Sequence, residues 1–214
     1  MFADRTEAGS RLAKALQSYA GRRPLVLGLP RGGVVVAAEV ARALGGDLDV
    51  MFVKKLGAPG NPELGIGAIG EDGRRFLNER VAQMTGADDD YVARLAAKRL
   101  AEIGNQARQY RAVRAKASPT GRVCILVDDG LATGATMIAA IQATAAAKPA
   151  LIVVAVPGGP DDAIEQIKAM PEVSDVVCLE TPAWFSGVSQ LYDDFRQVED
   201  VEVLALLKEF AGRA

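Results

Sequence analysis

In the second half of the chain, short apolar runs at Val123–Val127, 151–156 and 173–179 alternate with helical stretches at 134–147 and 161–170. Strands separated by helices are joined by crossover connections, which lay the strands parallel and put helices on the faces of the sheet. The rhythm begins earlier. Residues 25–29 form an apolar run, 34–44 a helical pattern stopped by Gly45-Gly46, and 48–53 another apolar run ending at Lys54-Lys55. The runs are apolar throughout, as strands buried on both faces are. The expected fold is α/β: a doubly wound, mostly parallel sheet in a single domain over 1–214, with its core at about 24–180.

The flanking segments read as helices. Asp4-Arg5-Thr6-Glu7 has the form of a capping box and predicts a helix through about Ala20, with Leu12 and Leu16 on one face. Asp88-Asp89-Asp90 suits the start of a long helix, whose apolar stripe is Val92, Ala96, Leu100, Ile103, Ala107 and Tyr110. Its basic residues Arg108, Arg111, Arg114 and Lys116 read as a solvated face, and a last helix is expected over 200–210. Residues 56–80 hold six glycines together with Pro59 and Pro62. They predict a flexible loop containing a hairpin, 66–69 against 75–77, that turns at Glu71-Asp72-Gly73.

Composition removes several chemistries. The 214 residues include no histidine, which excludes Ser-His-Asp and Cys-His catalysis and any zinc site needing imidazole. Cys124 and Cys178 lie in apolar runs and read as reduced, buried residues of a cytoplasmic protein, not as a disulfide framework. The net charge of −2 argues against nucleic acid as a partner. Charge is nevertheless uneven: residues 1–122 carry 20 Lys/Arg against 13 Asp/Glu, and residues 123–214 carry 5 against 14. Met1-Phe2-Ala3-Asp4-Arg5 has no signal-peptide pattern. The uncharged stretch 130–147 contains three threonines and a glutamine and reads as a buried helix, so no membrane association is expected.

Chemistry concentrates where the run Val123–Val127 meets Asp128-Asp129-Gly130-Leu131-Ala132-Thr133-Gly134-Ala135-Thr136. A strand ends in two acids, and a turn of small residues then opens a helix. Ligands of open α/β sheets bind beyond the carboxyl ends of strands. A helix start offers N–H groups and the positive end of the dipole to an anion. Gly134 and Ala135 let a phosphate approach the backbone, while Thr133 and Thr136 add hydroxyl donors. The acids suit sugar hydroxyls or a metal. Phosphate beside vicinal hydroxyls describes a ribose 5-phosphate. Leu29-Pro30-Arg31-Gly32-Gly33, between another strand and helix, is a second anion site of the same kind.

The acid-pair stretch resembles the signature of the type I phosphoribosyltransferases, which bind phosphoribosyl pyrophosphate (PRPP). The Pro-Arg-Gly-Gly turn is similar to their pyrophosphate loop. The resemblance implies a phosphoribosyl transfer to a nitrogen acceptor, a nucleobase by preference, with release of pyrophosphate. Asp128 and Asp129 would hold the ribose hydroxyls and steady the oxocarbenium-like charge. Leu131, Ala132, Thr133, Gly134, Ala135 and Thr136 would wrap the 5′-phosphate. Arg31, Gly32 and Gly33 would meet pyrophosphate, joined by Lys54 or Lys55. The resemblance also implies a cis peptide in the Pro30–Gly33 turn. Mg2+ would arrive chelated by PRPP, with Asp128 and Asp129 the acids nearest it.

Residues 56–80 occupy the place of the family's closing loop, from which Arg74 and Arg75 would reach the leaving group. The loop lacks the Ser-Tyr pair of the hypoxanthine–guanine enzymes and the Lys-rich loop of the orotate enzymes. Residues 181–199 resemble a hood in which Trp184 or Phe185 stacks on the acceptor base, whereas Tyr192 and Phe195 read as packing. A homodimer is implied as well. The second function class on this fold is a regulatory protein that senses PRPP or a nucleotide.

Overall fold

The structure, a computed structural model, describes residues 1–211. Asp4 caps the first helix as its motif predicts: its carboxylate accepts the Glu7 N–H at 2.8 Å. This helix, α1 (Arg5–Ala15), ends short of Ala20. The Leu16 N–H is shared between the Leu12 and Ala13 carbonyls, and a 3-10 turn over Gln17–Tyr19 follows.

The next elements are β1 (Leu25–Gly28), α2 (Gly32–Leu44) and β2 (Asp47–Val50). They are followed by β3 (Val53–Ala58), β4 (Asn61–Gly70), β5 (Arg75–Leu77), α3 (Glu79–Met84) and α4 (Asp89–Val113). The alternating half supplies β6 (Val123–Val127), α5 (Ala135–Ala145), β7 (Leu151–Gly158), α6 (Asp161–Lys168), β8 (Asp175–Glu180) and α7 (Asp200–Ala211).

Five strands form one parallel sheet in the order β2-β1-β6-β7-β8. Alternate side chains serve two cores. Val26, Ile125, Val127, Val153 and Ala155 pack with α1, α2 and α7 on one face. Leu25, Leu27, Cys124, Leu126, Ile152 and Val154 meet Met137, Ile141, Ile164 and Ile167 of α5 and α6 on the other. The expected doubly wound α/β architecture is therefore present. No helix among the described residues is long and apolar enough to cross a membrane.

The run expected over 48–53 is two strands. β2 stops at Val50, and β3 starts a separate antiparallel sheet, β3-β4-β5. The stretch expected as a flexible loop containing a hairpin thus lies largely in this sheet, and the expected hairpin is there, with Ala68 opposite Phe76. Its glycines serve close backbone approach. A Cβ at Gly67 would lie 2.2 Å from the Phe76 carbonyl oxygen. Leu56, Ala58, Ile66 and Ile69 are buried in the main core and hold the small sheet down.

The basic end of α4 is not simply a solvated face. Asp49 on β2 is only 1 % exposed, and its carboxylate accepts the Val50 and Ala117 N–H groups. Arg111 pairs with it at 2.6 Å and forks onto Glu71 of the β4–β5 turn. A buried carboxylate must be paired and hydrogen-bonded, and this one recruits the arginine.

Candidate functional site

The strand order reverses direction of growth between β1 and β6, so that edge is the topological switch point, where α/β sheets bind ligands. β1 and β6 are parallel neighbours with Gly28 opposite Val127. The Pro30–Gly33 turn and the Asp128–Thr136 turn therefore leave the same sheet edge side by side, and each runs into a helix start. The Pro30–Arg31 peptide is cis.

Two glycines allow the turns to touch. A Cβ at Gly32 would fall 1.9 Å from an Asp129 carboxylate oxygen, and one at Gly33 would fall 2.8 Å from the Asp128 Cα. Gly134 sits at φ +72°, in the left-handed region, and begins α5 with no side-chain cap. The first N–H groups of α5 thus face the turn as an anion-binding end.

A cavity of about 640 Å3 opens at this edge. Arg31, Lys54, Asp128 and Thr136 line it, joining the two turns and β3. Phe52, Gln106, Gln109, Tyr110 and Asp200 form the opposite part of its wall. The Arg31 guanidinium lies 3.7 Å from the Glu199 carboxylate and 3.9 Å from that of Asp200. The Tyr110 hydroxyl donates to Asp200. Burial and this carboxylate hold the Tyr110 proton on well beyond the ordinary phenol range, and the same bond lowers the pKa of Asp200.

The two acids differ in their partners. Asp128 lines the cavity, and desolvation together with the charge of neighbouring Asp129 raises its pKa well above the usual carboxylate range. Asp129, in contact with Asp128, pairs with Arg5 at 2.8 Å. The Tyr192 hydroxyl donates to the Asp129 backbone carbonyl at 2.6 Å.

The other residues singled out in the sequence distribute around this centre. Lys54 and Lys55 are successive on β3, and Lys55 lines a neighbouring hollow between β4 and α5 together with Thr133 and Ala135. Leu131 is buried, its N–H bonded to the Gly158 carbonyl at 2.9 Å. Ala132, Thr133 and Phe185 border a third hollow, beside Asp162 and Gln166 of α6. Phe185 also packs on a small cluster of Phe2, Leu191 and Tyr192. Trp184 is 88 % exposed and lines none of these hollows. Arg74 pairs loosely with Asp72 at 3.7 Å, and Arg75 is exposed on β5.

Sequence reasoning did not single out Arg5, Tyr110, Tyr192 or Asp200 as site residues. Arg5 carried a signal only for helix capping. Asp200 had one as the start of a helix and Tyr110 as a core position.

The chain is similar to known proteins. The family model described as phosphoribosyl transferase domain matches residues 6–196. Two curated proteins of Mycobacterium tuberculosis, "Putative phosphoribosyl transferase Rv0571c" of strain H37Rv and its counterpart MT0597 of strain CDC 1551, are each 46 % identical over 207 residues. The match covers 97 % of this chain but only 46 % of those proteins, so the chain spans less than half the length of these relatives. A crystal structure of the protein TT1426 from Thermus thermophilus is 48 % identical, with a TM-score of 0.93 and 99 % of each chain covered.

Proposed function

The chain belongs to the phosphoribosyl transferase family, and from that membership we propose that it moves a 5-phosphoribosyl group from PRPP to a nitrogen acceptor. The acceptor is a planar nitrogen base, a nucleobase by preference. The C1′–O bond to pyrophosphate breaks, a C1′–N bond forms with inversion, and the acceptor's N–H proton passes to solvent. The observation that carries the reading is the meeting of the Asp128–Thr136 and Pro30–Gly33 turns at one switch-point cavity.

Within it the division of labour follows charge. The uncapped start of α5 and the Thr136 hydroxyl take the 5′-phosphate. Asp128 accepts from a ribose hydroxyl and lies close to where positive charge develops at C1′. Arg31 and Lys54 bind the leaving pyrophosphate. In the unliganded protein the acids Glu199 and Asp200 already lie beside Arg31, and pyrophosphate would compete with them for it.

Among the described residues no three metal-ligating side chains cluster. Mg2+ would arrive chelated by the phosphates of PRPP, with the Asp128 and Asp129 carboxylates the acids nearest it. When bound, the ion would neutralise pyrophosphate oxygens and make it a better leaving group. Inversion requires attack opposite the leaving group, so the acceptor meets C1′ from the side away from Arg31 and Lys54.

Calorimetric titration with PRPP and Mg2+, followed by pyrophosphate release assayed over a panel of nucleobases and simple amides, tests the proposal. Binding with turnover on one acceptor is expected. Absence of PRPP binding overturns the site. Binding without pyrophosphate release on any acceptor points to the regulatory class.

A further inference from the structure

Arg5 lies in the first turn of α1, 124 residues from the acid pair, and no motif assigned it a part. Its side chain is only 10 % exposed. The guanidinium makes three contacts at once. Nε donates to the Asp129 carboxylate at 2.8 Å, Nη1 donates to the Arg196 carbonyl at 2.8 Å, and the group lies 4.0 Å from the centre of the Phe195 ring. Phe195 in turn stacks on Tyr192 at 5.2 Å, and Tyr192 holds the Asp129 carbonyl. Helix α1 and the segment 192–196 therefore close on one acid of the site.

We propose that Arg5 is the positioning residue of the PRPP site: it fixes the Asp129 carboxylate beside Asp128, in the place from which the acid pair meets ribose. This role rests on the PRPP reading given above. The packing around Asp129 makes the orientation obligatory. Gly32 approaches so closely that a methyl there would overlap the Asp129 carboxylate, and would stand 2.8 Å from the Arg5 Nε. The acid thus occupies a slot between a glycine and a guanidinium.

An arginine suits that slot better than a lysine. Its planar fork reaches Asp129 and the Arg196 carbonyl together while its flat face covers an aromatic ring. Removing it strands a half-buried carboxylate beside a second acid, with no counter-charge. The remaining cations of the site, Arg31 and Lys54, line the cavity on the Asp128 side. Nothing then holds Asp129 in place against the charge of Asp128, and the ribose site loses its geometry.

The test is calorimetric titration of PRPP with Mg2+ into wild type, Arg5→Gln, Arg5→Lys, Asp129→Asn and the double variant Arg5→Gln/Asp129→Asn, with a thermal melt of each. Arg5→Gln is expected to weaken PRPP binding tenfold or more. Arg5→Lys, which keeps a cation on Asp129, is expected to recover most of that loss. The double variant is expected to bind no worse than the weaker of its two parents, because both changes abolish one interaction.

Affinity of folded Arg5→Gln within twofold of wild type overturns the role. So does a double variant whose loss is the product of the single losses. If Arg5→Gln alone does not fold, the double variant Arg5→Gln/Asp129→Asn, in which no carboxylate is left stranded, is compared with Asp129→Asn: equal affinity supports the role, and a further tenfold loss overturns it. A wild-type protein that binds no PRPP overturns the parent reading of the site, and the positioning role with it.

Discussion

Substituting Gly32 by alanine adds one methyl group at the point where the two turns meet. The backbone there has no need of glycine's freedom, since its φ lies outside the left-handed region. The effect is therefore steric. The methyl carbon would stand 1.9 Å from the Asp129 carboxylate oxygen and 2.8 Å from Arg5 Nε. Neither partner is the loose end of a flexible chain, because each is pinned by the 2.8 Å bond between them. Something must move by more than an ångström, and the bond breaks. A hydrogen bond to a charged group contributes about 1.5–3 kcal/mol. Overpacking adds about 1–3 kcal/mol more. In a domain of this size each kcal/mol lowers Tm by roughly 2–4 °C, so Gly32→Ala should melt roughly 10 °C below wild type.

PRPP affinity should fall with it, because the displaced carboxylate and the shifted turn both belong to the proposed site. Gly104→Ala is the control. Gly104 is exposed within α4 with nothing within 4 Å of an added methyl, so alanine there should stabilise by about 0.5–1 kcal/mol. Differential scanning calorimetry of both variants, with and without PRPP and Mg2+, reads the outcome. A Gly32→Ala protein that melts with wild type and binds PRPP unchanged would refute the contact on which the site is built.

Asp128 has a raised pKa in the folded protein, so its contribution to stability is present below the unfolded value and is lost as pH rises through the folded one. Asp128→Asn should accordingly raise Tm at neutral pH, with the gain shrinking toward pH ~4, where the unfolded carboxyl also holds its proton; a gain that does not change with pH would exclude titration as its cause. In the small sheet, hydrogen exchange should be slow at 66–70, paired to β3 and β5, and fast at the exposed tip residues Gly60, Asn61 and Leu64. PRPP with Mg2+ should slow the tip, and a tip unaffected by ligand would contradict closure over the site. Trp184, the chain's only tryptophan, should be quenched freely by iodide, and Trp184→Ala should leave Tm and PRPP affinity unchanged; a protected indole would mean that this segment folds inward.

The parts of the fold read correctly from sequence are those in which local pattern and tertiary structure want the same thing. Apolar runs such as Val123–Val127 and 151–156 are buried on both sheet faces, so their composition alone declares them. The Asp4 cap and the Glu71-Asp72-Gly73 turn are chemistry within four residues. The glycine-rich segment misled because glycine has two uses that look alike in a sequence. It relaxes a loop, or it lets two backbones close to contact, as at Gly67 against Phe76. Only the pairing partner tells them apart.

The site divides along the same line. Its strand-end turns are contiguous, and their side-by-side placement follows from the parallel pairing of β1 with β6. What closes around those turns comes from far along the chain. Arg5 arrives from α1, Tyr110 from α4, and Tyr192 and Asp200 from the last quarter of the chain. Each follows a local rule that conceals its second use: Arg5 opens a capped helix, Tyr110 completes an apolar stripe, and Asp200 supplies the acid that a helix start favours. A residue that satisfies its own helix gives no excess signal, so its partner 90 or 124 residues away is invisible until the sheet has brought them together. Such residues are also those whose substitution separates positioning from chemistry, because the helix tolerates the change and the carboxylate it held does not.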